Sequence, residues 1–147
     1  MNIRVCKEFT FEMAHALYGH DGPCKNIHGH SYKLSVVLLG SPKEKKESDF
    51  GMVMDFSEMK EIINQEVVHH FDHSLVINKD YPHAMPDGDA FGKVHRVGYQ
   101  PTCENLLIDI CNRLKGKFPH NIHVVSIRLR ETATSYAEWN AKENIAL

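Results

Sequence analysis

Nowhere in the 147 residues do 18 consecutive apolar residues occur, so no stretch reads as a membrane-spanning helix. The opening MNIRVCKEFTFEMAH alternates polar and apolar residues instead of placing an apolar run behind a charged head, and the expected location is the cytoplasm. No C-x-x-C occurs, and Cys6, Cys24, Cys103 and Cys111 are spaced too widely and irregularly for a secreted disulfide framework. They are expected to be thiols. A net charge of -2 leaves no basic footprint for a nucleic acid, and repeats and low-complexity segments are absent. What remains, with 42% hydrophobic and 24% charged residues, is an ordinary globular chain. Its length fits a single domain, 1–147, able to bury about 70% of its unfolded surface without help from a disulfide or metal.

Residues 3–15 alternate, with Ile3, Val5, Phe9 and Phe11 on one face and Arg4, Glu8, Thr10 and Glu12 on the other, which predicts a half-buried strand running toward His15. HSYKLSVVLLG predicts a second strand, antiparallel if the two form a hairpin. SPKEKKESDFG reads as a solvated loop. Asp55 and Glu58 form a capping-box pattern ahead of Met59, Ile62, Ile63, Val67 and His70 at helical spacing. A second helix is expected from Thr102 as N-cap, through Leu106, Leu107, Ile110, Cys111 and Leu114, to a stop at Gly116. NIHVVSIRLRETA alternates through Val125, Ile127 and Leu129 as a further strand, and SYAEW can begin a last one. The simplest packing is α+β, an antiparallel sheet with both helices on one face. Residues 79–100 show no sustained period and read either as a functional loop or as a surface excursion.

Eleven histidines are present, and most need no role beyond surface or packing. His28 and His30 differ. In an extended strand, residues i and i+2 share a face about 6.7 Å apart, so both imidazoles can meet one ion while Gly29 points away. His15, ending the paired strand, adds a third. Three imidazoles with one open position make a catalytic zinc site, whereas structural zinc fills its shell with four ligands. Cys24 fits either picture, as the fourth ligand of a closed site or as a thiolate base or nucleophile beside the metal. The spacing admits both.

FTFEMAH, CKNIHGHSYKL, GMVMDFSEMK, FDHSLVIN, PTCEN and LRET follow one another along nearly the whole chain. In that order they resemble the family of 6-pyruvoyl-tetrahydropterin synthase and the queuosine-pathway 6-carboxy-5,6,7,8-tetrahydropterin synthase. The resemblance implies the tunnelling fold: a four-stranded antiparallel sheet with two helices on one face, trimers closing into barrels, and two trimers stacked as a homohexamer with sites at subunit interfaces. It implies Zn2+ on His15, His28 and His30, with Cys24 as catalytic base and not a ligand. Asp72 and His73 are implied as a proton relay with the cysteine. Glu131 is implied as the pterin anchor and part of the relay, and Thr102 and Glu104 lie near the pterin pocket. The substrate implied is 7,8-dihydroneopterin triphosphate, with neither nucleic acid nor membrane as a partner. Three residues separate Cys24 from His28, as in the carboxy-forming branch, whose products are 6-carboxy-5,6,7,8-tetrahydropterin, acetaldehyde and triphosphate. The alternatives are 6-pyruvoyl-tetrahydropterin synthase activity and, in another class, a non-catalytic zinc-stabilised oligomeric pterin-binding module. Lys93 and Arg96 read either as triphosphate contacts or as a solvated loop. The segment 79–100 and the stretch ATSYAEWNAKENIAL depart from the family pattern.

Overall fold

A computed structural model describes residues 1–44, 48–83 and 89–144. Parts of the charged loop, of the 79–100 segment and of the C-terminal stretch therefore lie outside the described residues. Strands β1 (Ile3–Ala16) and β2 (His28–Gly40) form a long antiparallel hairpin in which Phe11 faces Tyr32, Met13 faces His30 and His15 faces His28. Helix α1 (Phe56–Ile63), a π turn (Asn64–Val68) and α2 (His69–Phe71) follow as one rod. Then come β3 (Ser74–Asn78), β4 (Val94–Val97), α3 (Cys103–Leu114), β5 (His123–Arg130) and β6 (Tyr136–Asn140).

The sheet has six strands in the order β4-β3-β1-β2-β5-β6, not the expected four. Strands β1, β2, β5 and β6 are the antiparallel set. Strands β3 and β4 are parallel additions at one edge. Five and four residues long, these two are too short to show a period, and β4 falls in the segment that read as loop. Both helices do pack on one face: Met59, Ile63 and Val67 share a core with Leu106, Ile110 and Leu114 and with Phe9, Phe11, Leu34 and Val36 of the sheet.

Two deviations follow from local geometry. Between β2 and β5 the register shifts at Val37/Leu38, and Val124 instead of Val125 turns into the core. A bulge inserts one unpaired residue and so reverses the alternation beyond it. On the helical rod the buried residues are Met59, Ile63, Val67 and Phe71, with Phe71 taking the place expected for His70. An apolar residue every fourth position outruns the 3.6-residue α turn, and the wider π turn restores it to one face.

Asp55 caps α1 by accepting from the Ser57 N–H at 2.6 Å. The far end of the rod is tied to β4 and α3 by polar contacts. His70 and His95 stack at 4.0 Å and 14°, and His95 Nε2 donates to the His70 carbonyl at 2.9 Å. Arg113 donates to His70 Nε2 at 2.9 Å and pairs with Asp109, which also accepts from the Tyr99 hydroxyl.

Candidate active site

The core face continues past Phe11 and Tyr32 to the loop end of the hairpin, where the same alternation places His15, His28 and His30. Their ligand atoms all lie within 4.8 Å of one another. His15 is 2% exposed, and burial holds its pKa below the ordinary value, favouring the neutral ring. His15 Nδ1 lies 2.7 Å from the Pro101 carbonyl and His28 Nδ1 2.8 Å from the Asn26 carbonyl. Carbonyl oxygens only accept, so both Nδ1 atoms carry the proton and both Nε2 atoms present lone pairs. Those two lone pairs face each other at 3.1 Å. Two acceptors at that separation need a proton or a metal ion between them, and carbonyl-oriented imidazoles are the usual second layer of a metal site. The donor set fits a metal ion.

Glu131, just beyond β5, closes the other side. Its Oε1 accepts from the Tyr32 hydroxyl at 3.1 Å and stands 3.7 Å and 3.9 Å from His15 Nε2 and His30 Nε2. Tyr32 is fully buried, and burial together with the Glu131 carboxylate pushes its phenol well above the ordinary range. It stays a donor. Thr102 caps α3, accepting from the Asn105 N–H at 3.3 Å. Histidines, Glu131, Thr102, Glu104 and a half-buried Cys24 line one cavity of about 450 Å³. Cys24 sits on a single 3-10 turn, Pro23–Lys25, whose backbone receives the Leu17 N–H at 2.9 Å. Cys103 lines the same cavity; burial raises its thiol to about 11, and it donates to the Leu129 carbonyl.

Asp72 and His73 are not brought to this cavity. His73 Nδ1 lies 3.0 Å from Asp72 Oδ2, and the His73 side chain is 78% exposed. A hydrogen bond from the Glu12 N–H, at 2.9 Å, is the largest cause holding the Asp72 carboxyl below its ordinary pKa. His73 opens on a second cavity of about 460 Å³, shared with Glu12, Ala14, Gly29, Ser31 and Lys93, and His30 borders both cavities. Glu12, Ala14, Gly29 and Ser31 alternate away from the core, so this cavity opens mainly on the other face of the sheet. Sequence reasoning missed Tyr32 and the Pro101 and Asn26 carbonyls. A buried phenol that needs a partner was a usable signal for the first; a backbone acceptor leaves none.

A sequence model of the family described as 6-pyruvoyl tetrahydropterin synthase matches residues 4–142. A Haemophilus influenzae protein named 6-carboxy-5,6,7,8-tetrahydropterin synthase is 36% identical over 140 residues, covering 92% of this chain and 97% of its own. A Synechocystis protein of the same name is 32% identical, covering 92% and 91%. The solved 6-pyruvoyl tetrahydropterin synthase of Caenorhabditis elegans superposes with a TM-score of 0.66 at 23% identity, over 95% of this chain and 96% of its own. That likeness is one of fold.

Proposed function

The chain belongs to the 6-pyruvoyl tetrahydropterin synthase family, and from that premise we propose that it is a 6-carboxytetrahydropterin synthase-type lyase. It converts 7,8-dihydroneopterin triphosphate and one water to 6-carboxy-5,6,7,8-tetrahydropterin, acetaldehyde and triphosphate, as a zinc-dependent step of queuosine and 7-deazaguanine biosynthesis. The observation that carries this reading is one cavity in which three imidazoles converge while Cys24 stands outside their cluster and Glu131 is fixed by Tyr32. The name borne by the relatives at 36% and 32% identity, together with the three-residue spacer after Cys24, favours the carboxy-forming product.

Glu131 accepts from the N–H edge of the pterin ring, since a carboxylate takes two such donors at once, and Thr102 and Glu104 border the ring at the start of α3. His15, His28 and His30 would hold a zinc ion, which would supply Lewis acidity toward the substrate's side-chain oxygens. Cys24 takes a proton from the substrate's side chain, and His73, oriented by Asp72, returns or removes others. Because His73 opens on a cavity apart from the one that holds Cys24, the Asp72–His73 pair reaches a Cys24 cavity from a second copy of the chain. The working form in this reading is a homo-oligomer, and the family resemblance implies a hexamer built of two trimers.

Incubation of the zinc-loaded protein with 7,8-dihydroneopterin triphosphate, with products identified by mass, tests this. Acetaldehyde together with the 6-carboxy pterin is expected. A 6-pyruvoyl product moves the protein to the other branch, and absence of turnover returns it to a pterin-binding module.

A further inference from the structure

The 79–100 segment reaches back to the end of the helical rod through Lys93 as well as through His95. Lys93 Nζ donates to the His69 carbonyl at 2.7 Å and to the Asp72 carbonyl at 2.6 Å. Carbonyls at a helix C-terminus lack intrahelical donors and sit at the negative end of the dipole. The Lys93 carbonyl in turn accepts from the Leu75 N–H at 3.0 Å. One residue therefore grips the chain on both sides of His73.

What it grips is strained. Asp72 at φ -60, ψ 129, followed by His73 at φ 57, has the dihedral pattern of a type II turn. Its second central position normally belongs to glycine, because a β-carbon is disfavoured there. His73 is the non-glycine residue at positive φ among the described residues. Such a conformation persists where its surroundings over-determine it. The Glu12 carbonyl accepts from the His73 N–H at 2.6 Å, the Glu12 N–H holds Asp72 Oδ1, and the Ser74 hydroxyl donates to the Phe71 carbonyl at 2.6 Å. Among the described residues, Lys93 is the side-chain restraint contributed from outside β1 and the turn itself.

We propose that Lys93 is a positioning residue for the Asp72–His73 pair, and that β4, anchored by the His95–His70 stack, serves to carry it there. This rests on the reading of that pair as the proton relay. The competing role for Lys93, a direct contact to the substrate's triphosphate, leaves two of its three donors already committed to carbonyls.

The two roles separate kinetically in the full-length, zinc-loaded protein. Lys93→Met is expected to lower kcat on the order of tenfold or more, since a misplacement of about 1 Å costs that much or more. KM should stay within about twofold and zinc content should be unchanged, while Lys93→Arg, which keeps the donors, restores most of the rate. In a His73→Ala background Lys93→Met should add no further loss. A raised KM at unchanged kcat would make Lys93 a substrate contact, and a wild-type kcat in Lys93→Met would equally overturn the proposal. Full turnover in His73→Ala alone would sink the relay reading, and the role of Lys93 with it. Should Lys93→Met prove insoluble, Lys93→Ala, which also lacks the donors, carries the same comparison.

Discussion

Cys24→Ala removes a thiol that lies outside the 4.8 Å cluster of His15, His28 and His30. The variant is expected to hold zinc at the wild-type stoichiometry by metal analysis while turnover falls on the order of 100- to 10,000-fold. Zinc lost together with activity would put the thiol in the ligand shell. At this scale the sequence was most readable where strand alternation acts, since His15, His28 and His30 share a face for the same reason that Phe11 and Tyr32 do. Glu131 was readable only through its motif. Its partner Tyr32 is 99 positions away in the chain, and no local pattern links a strand residue to a carboxylate that far off.

The helical rod carries a titratable contact of its own. Burial first, then the charge of Arg113 and the neighbouring His95, lower the His70 pKa from an ordinary 6.5 to about 4. Asp109 acts in the opposite sense and Lys93 adds to the lowering. Between those two pH values the unfolded chain binds more protons than the folded one, so stability present above pH 6.5 is lost as pH falls toward 4. His70→Gln should flatten this loss: the difference in Tm between variant and wild type should change with pH across that window and level off above it. Parallel Tm profiles would show that His70 does not titrate there. The stripe of α3 was legible residue for residue, because Leu106, Leu107, Ile110, Cys111 and Leu114 follow the regular α period and all are buried. On the preceding rod the period changes midway, and a reading based on 3.6 residues per turn lands on His70 where the structure buries Phe71.

Across the whole molecule, the hydrophobic core and the histidine cluster occupy different ends of the same sheet face. Chelation should therefore leave far-UV circular dichroism unchanged. At a metal concentration 100 times the Kd, loss of the ion removes about 2.7 kcal/mol, or about 5–10 °C in Tm. Unfolding on chelation would make the ion a structural requirement. The antiparallel four strands were readable from alternation and turns; β3 and β4 were not, since parallel pairing joins distant segments and short strands leave no period. The π turn at Asn64–Val68 bears on chain length as well as on helix phase. Removing one residue there would reset the buried spacing between Ile63 and Val67 from four to three, the step an unbroken α-helix uses. Neither flanking strand would have to move. A one-residue gap at 64–68 in an alignment of relatives thus marks a change of helix type within a conserved fold, and the segment can gain or lose that residue as a unit.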